Sequence, residues 1–265
     1  MKASIVTQVG LALLPTALCH NIHGILLING TASPEWKYVL DVEGPFSVNT
    51  EDYPPGYQGR KLEPIIGPAD PNITCGRAAF NAASHTETAD VLAGSEVGFR
   101  VSADGDGNRD ETHHPVFWHP GPAQIYLSRA PDDNLRDYRG DGDWFKIAYA
   151  GPVDDGHWSL WWPVSEFNFT IPKTTPPGKY LMRIENFMPT DHTDYQQFYV
   201  NCAFINVLGP GGGVPTGLAR FPGTYQPEDP GLLVPLNQDL LSGRLQPEEM
   251  RLMQYRPPGP EVWTS

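Results

Sequence analysis

Short apolar runs recur along the chain between glycine and proline. "GSEVGFRVS" (94–102) and "EFNFTIP" (166–172) alternate apolar with polar side chains, the period of a half-buried strand. The pattern predicts strands over residues 23–29, 96–101, 123–128, 167–171, 180–185 and 198–207. With 27 glycines and 28 prolines among 265 residues, little chain is left for long helices. Many short strands with such punctuation predict an all-β sandwich. The intervening stretches, 34–70 and 129–160, are expected to be elaborate loops, of a size that usually carries function. No internal repeat is visible.

The two ends read differently from the middle. Met1-Lys2 gives a positive start, residues 5–18 are mostly apolar, and Ala17-Leu18-Cys19 is a small-x-small exit. That is the pattern of a secretory signal peptide over residues 1–19, too short to span a bilayer. Retention of Cys19 as an acylated residue is the weaker reading, because bulky Leu18 precedes it. Cleavage after Cys19 makes His20 the first mature residue and puts a free α-amine beside its imidazole. After residue 207, "GPGGGVPTG" reads as a flexible turn or linker. Residues 20–237 then read as the main domain. Residues 238–265 are an extension expected to be poorly ordered, with a short helix starting at Pro247.

Charge narrows the partners. Asp and Glu number 31 against 18 Lys and Arg, a formal net charge of −13. That argues against nucleic acid or an anionic membrane and suits a soluble extracellular protein on a neutral or insoluble substrate. Without Cys19 two cysteines remain, Cys75 and Cys202, expected to close one long-loop disulfide, with two free buried thiols as the alternative. The sequons at Asn29, Asn72 and Asn168 fit passage through a eukaryotic secretory route.

Eight histidines are present, and most read as ordinary surface or core residues. His20 differs: its amine and its ring can chelate one metal ion. "ETHHPVFWHPGPAQIYLS" places His113, His114 and His119 within seven residues before a strand, either as part of a site or as a proline-rich loop with incidental histidines. In "YQQFYVNC", Gln197 and Tyr199 share one strand face by period-two alternation, and Tyr199 alone reads as an ordinary strand tyrosine.

Several stretches occur in a fixed order: His20 with Asn29-Gly30, "ITCGR" around Cys75, "HPGPAQIYLS" from His119, and "WFKI" at Trp144. "FTIPKTTPPGKYLMRIE", "QFYVNCAFINV" and "FPGTYQPEDPG" follow. The set resembles the fungal lytic polysaccharide monooxygenases of auxiliary activity family nine, once filed among the glycoside hydrolases. The resemblance implies an immunoglobulin-like antiparallel β-sandwich and one copper ion per chain. The implied ligands are the amine and ring of His20 and the ring of His119, with Tyr199 axial and Gln197 a hydrogen-bond donor to the reacting oxygen. Three nitrogens in a T suit Cu(II), and copper tops the divalent affinity series for such donors. Also implied are dioxygen or hydrogen peroxide as cosubstrate, an external small-molecule or protein reductant, and a monomeric secreted enzyme. Its reaction would be oxidative cleavage at C1 or C4 of β-1,4-linked sugars in cellulose, an associated β-glucan or xylan.

The same resemblance places His23 near the copper face and Tyr225 on the polysaccharide-facing surface, both as substrate contacts. The segment "RIENFMPTDHTDYQQFY" departs from the family, which carries a histidine a few residues after the "RxE" strand. His192 is the available residue for that role, while Asn186 and Thr190 stand where a histidine is otherwise expected. The alternative function is a copper-binding or cell-wall-binding protein on the same scaffold without turnover. A hydrolase is more distant, for no convincing acid–base carboxylate pair is present.

Overall fold

The computed structural model describes residues 20–44, 61–102, 115–161, 163–234 and 242–264. The proposed leader, most of the glycine- and tyrosine-rich part of the first long stretch, and His113 and His114 lie outside these residues. Two sheets form a β-sandwich. The smaller runs β2 (Thr31–Ala32), β1 (Ile25–Ile28), β5 (Glu96–Arg100), β8 (Glu166–Thr170), every pair antiparallel. Asn29-Gly30 turns the chain between β1 and β2 with φ of 48° and 76°, the backbone that Asn-Gly suits best.

The larger sheet has β9 (Gly178–Met188) and β10 (Gln197–Leu208) at its centre, paired over eleven residues. Beyond β9 lie β6 (Ala123–Arg129), β7 (Trp144–Ala150) and β11 (Leu218–Ala219). On its far side β10 takes β3 (Ile65–Ile66) at one end and β4 (Ala89–Leu92), in parallel, at the other.

Between the sheets the alternation does what it predicts. Val97, Phe99, Phe167 and Phe169 of the small sheet meet Ile125, Leu127, Met182, Ile184, Ala203 and Ile205 of the large one. Each of the larger side chains contributes about 1.5–3 kcal/mol when fully buried. The outer face of the large sheet is buried too. Loop residues Ile73, Ala79, Leu135, Phe221 and Leu232 cover Phe198, Cys202 and Phe204 there. This second layer explains why "QFYVNCAFINV" is nearly continuous in apolar character.

Cys75 and Cys202 form the expected disulfide across 127 residues. Arg183 and Glu185 on β9 are fully buried and paired at 2.7 Å. Arg183 also donates to the carbonyls of Ile73 and Thr74 and stacks 3.9 Å from the Phe221 ring centre. A buried pair needs such extra partners to offset its desolvation.

Two expectations change. The stretch 129–160 is not all loop, because it contains β7. Lys146 interrupts the apolar pattern there, yet it is buried and donates to the Pro258 carbonyl at 3.0 Å. Burial lowers its ammonium to a pKa of about 8. Nor is 242–264 loose. It makes the short turn Pro247–Glu249, buries Met250 and Leu252 against Trp158, and inserts Trp263 edge-on to Phe145. The Trp263 N–H donates to the Lys146 carbonyl and the Tyr255 hydroxyl to Gly231 O, so this segment straps the sheet edge.

Candidate metal centre

Three chain segments converge at one end of the sandwich. The first runs into β1. Ser102 N–H donates to Ile22 O, and His23 N–H donates to Asn201 Oδ1, which clamps Asn21 to His23 between β10 and the chain leaving β5. His20 sits just outside that clamp.

The second segment carries His119. Phe117 N–H donates to Val164 O and Trp161 Nε1–H to Trp118 O. A Cβ at Gly121 would lie 2.0 Å from Phe187 O, so only glycine permits this approach to β9. The "HPGP" turn therefore fixes the His119 backbone against the large sheet. The third segment is the start of β10. Gln197 and Tyr199 share a face, as alternation predicts, and the Tyr199 hydroxyl donates to Gln197 Oε1 at 2.7 Å.

The rings of His20, His119 and Tyr199 form a triangle. Centre-to-centre distances are 6.0 Å for His20–His119, 6.1 Å for His20–Tyr199 and 5.8 Å for His119–Tyr199. Two imidazoles sharing one ion at a metal–nitrogen distance of about 2.0 Å have ring centres no more than about 6.5 Å apart. His119 Nε2 is buried and has no hydrogen-bond partner among the described residues. A buried nitrogen without a partner is costly unless something else fills that position. Burial, and secondarily the nearby His20, lowers the His119 pKa to about 4, so its ring is the neutral, ligating form above that. The residues present thus fit a nitrogen-preferring transition metal, and copper in particular.

The remaining expected site residues fall elsewhere. His23 is 0 % exposed, accepts from Asn21 Nδ2 at 3.1 Å through Nε2 and packs on Phe117. It cannot touch a substrate. Tyr225 is 3 % exposed: its hydroxyl donates to Glu185 and lies 2.7 Å from the Tyr126 hydroxyl. It belongs to the buried polar core rather than to the surface, because the Arg183–Glu185 pair needs its hydrogen bond. The His192 side chain is 69 % exposed and its described contacts are with Asp191 and Tyr195, not with the three rings. Across β9, the residues opposite Gln197 and Tyr199 are Met188 and Asn186.

Sequence reasoning missed Glu63. Its Oε2 lies 3.4 Å from His20 Nδ1. No local motif marks it; only its place in a long stretch before a short strand hinted at a role. Of the three sequons, Asn29 and Asn168 are exposed and Asn72 is half-buried, its amide donating to Asp70.

Residues 20–242 match the family model described as Auxiliary Activity family 9 (formerly GH61). The chain is 59 % identical over 264 residues, the full length of both proteins, to AA9 family lytic polysaccharide monooxygenase U of Thermothielavioides terrestris. It is 34 % identical, again over the full length of both, to AA9 family lytic polysaccharide monooxygenase C of Emericella nidulans. In three dimensions it superposes on the crystal structure of HiLPMO9B with a TM-score of 0.64, covering 93 % of this chain and all of that one at 23 % identity. At that identity the superposition speaks for the fold alone.

Proposed function

The chain belongs to Auxiliary Activity family 9, and on that footing we propose that it is a secreted, copper-dependent lytic polysaccharide monooxygenase. The observation that carries this reading is the convergence of the His20 and His119 rings on Tyr199, with a buried His119 nitrogen lacking a partner among the described residues. Removal of residues 1–19 exposes the His20 amine, which with its ring and the His119 ring makes a three-nitrogen donor set.

A copper ion held there supplies one-electron redox chemistry toward dioxygen or hydrogen peroxide. The net reaction inserts one oxygen atom into a C–H bond at C1 or C4 of a β-1,4-linked sugar, after which the glycosidic bond breaks. With peroxide the second oxygen leaves as water; with dioxygen, two electrons from an external reductant and two protons complete that water.

The chain's own residues orient this chemistry. Tyr199 closes one side of the site, and its hydroxyl is held by Gln197. Because Gln197 Oε1 accepts from Tyr199, the group it can offer a reacting oxygen is its amide NH2. The clamp around Asn21 and His23 and the Gly121 contact keep both histidines in place before any substrate arrives, which is preorganisation.

Cellulose, an associated β-glucan or xylan is the proposed substrate. With His23 and Tyr225 buried, the exposed apolar side chains flanking Gln197 are Ile66, its partner on β3, and Tyr195, two residues earlier. They suit the hydrophobic faces of sugar rings. The protein acts extracellularly as a monomer, with glycans expected at Asn29, Asn168 and Asn72.

One observation favours the second reading, a copper-binding protein on this scaffold without turnover. His192 faces outward and Met188, a thioether, stands opposite Gln197. One experiment separates the two: mass spectrometry of products from cellulose and xylan, with and without ascorbate, for wild type and His119→Ala. Ascorbate-dependent oxidised oligosaccharides from wild type alone support the enzyme. Copper binding without such products supports the second reading, and equal activity in both proteins removes His119 from the site.

A further inference from the structure

We infer that Glu63 is part of the metal centre: its carboxylate, held against the backbone-proximal ring nitrogen of His20, sets a fixed negative charge beside the cation and favours its doubly charged state. This rests on the copper reading above and goes beyond it by placing an anionic side chain beside, not within, a donor set of neutral nitrogens.

The geometry is specific about which nitrogen is involved. Glu63 Oε2 lies 3.4 Å from Nδ1 of His20. Of the two ring nitrogens, only Nδ1 can close a small chelate ring with the amine of the same residue. The carboxylate therefore neighbours the chelating atom and not the outer edge of the ring. A cation arriving at Nδ1 meets this carboxylate at once.

The backbone carrying Glu63 is fixed from several directions. Arg77 donates to the Glu63 carbonyl at 2.6 Å and to the Pro64 carbonyl. Ile65 is buried and pairs with Phe198, Ile66 pairs with Gln197, and Gly67 N–H donates to Gln196 O. Arg77 itself stands two residues from the disulfide at Cys75. Ile65, Ile66 and Gly67 are thus anchored to the same end of β10 that bears Gln197 and Tyr199, and Arg77 holds the two residues before them. Lys61, two residues earlier, places Nζ against both oxygens of Asp41. Arg77 hydrogen-bonds main-chain oxygens, and its charge acts on the Glu63 carboxylate through space and offsets part of it.

A carboxylate beside a cation attracts it in proportion to the cation's charge, so it stabilises Cu(II) more than Cu(I). Both side chains keep some exposure, 25 % for His20 and 20 % for Glu63, and solvent tempers the effect. Glu63 is a positioning and charge-setting residue, not one that reacts.

The test uses the mature chain beginning at His20. Cu(II) affinity is measured by calorimetry with copper sulfate, Cu(I) affinity by competition with a chromophoric chelator, and the Cu(II) signal by electron paramagnetic resonance. Glu63→Gln is expected to weaken Cu(II) binding about tenfold with Cu(I) binding unchanged, which raises the one-electron potential by about 59 mV. Its resonance parameters should change, and Glu63→Asp should recover part of each effect. Glu87→Gln, which removes one equal charge from an exposed pair with Lys37, should change none of them. Unaltered affinity, potential and spectrum in Glu63→Gln, beside a wild type that binds copper, overturn the role of Glu63 and leave the copper reading standing. An equal shift in Glu87→Gln also overturns it. A wild type that ignores copper overturns both.

Discussion

Tyr199 donates its phenolic hydrogen to Gln197, two positions earlier on the same strand, at 2.7 Å. The bond makes the two side chains one unit, with the tyrosine against the histidine rings and the glutamine NH2 not used by that bond. Substitution should separate metal binding from chemistry. Gln197→Leu is expected to keep Cu(II) affinity within a few-fold while lowering oxidised-product formation about 10–100-fold, the usual cost of losing a group behind the ligands. Calorimetry and product chromatography on the same preparation check this.

Exposed Tyr195 and buried Tyr225 should behave oppositely. Tyr195 is 63 % exposed, so Tyr195→Ala is expected to weaken adsorption to cellulose without altering thermal stability. Tyr225→Phe removes a hydroxyl that serves buried Glu185, and should cost about 1–3 kcal/mol of stability with adsorption intact. Binding isotherms and urea midpoints distinguish them.

The disulfide spans 127 residues and should contribute about 5 kcal/mol through the loop entropy it removes from the unfolded chain. Cys75→Ala with Cys202→Ala is expected to lower the unfolding midpoint by about 10–20 °C in a scanning calorimeter.

Burial depresses the His23 pKa from 6.5 to about 3, outweighing a contact with Asn201. A base with a depressed folded pKa binds protons more readily when unfolded. Its stabilisation is therefore complete above pH 6.5 and is lost as the pH falls toward 3. Between pH 7 and 5 the loss is about 2 kcal/mol. Metal-free wild type should lose that much more than His23→Gln over this interval, measured by urea unfolding at both values.

Much of the fold was legible because period-two alternation is a local signal: all six expected strands appear, with shifts at their ends. The strand β7 was hidden by Lys146, whose partner Pro258 lies 112 residues away. The loop layer over the outer face was likewise invisible, since no local pattern records what covers a strand. In the site, the rings of His20, His119 and Tyr199 lie close together and Gln197 bonds Tyr199, while their metal roles belong to the proposal. His23 and Tyr225 were misjudged for one reason: their burial is decided by Phe117 and Glu185, residues with no sequence proximity to them. Glu63 was missed on the same ground, as its relation to His20 exists only after β3 joins β10.

The tie at Cys202 also governs which side chains the site receives. Were β10 to slip by a single position against β9, Phe198 and Val200 would replace Gln197 and Tyr199 beside the histidines, because neighbouring side chains point to opposite faces. A covalent bond three residues from Tyr199 makes that misalignment unreachable without breaking sulfur from sulfur. The bridge therefore guards the identity of the groups offered to the metal as well as the persistence of the fold.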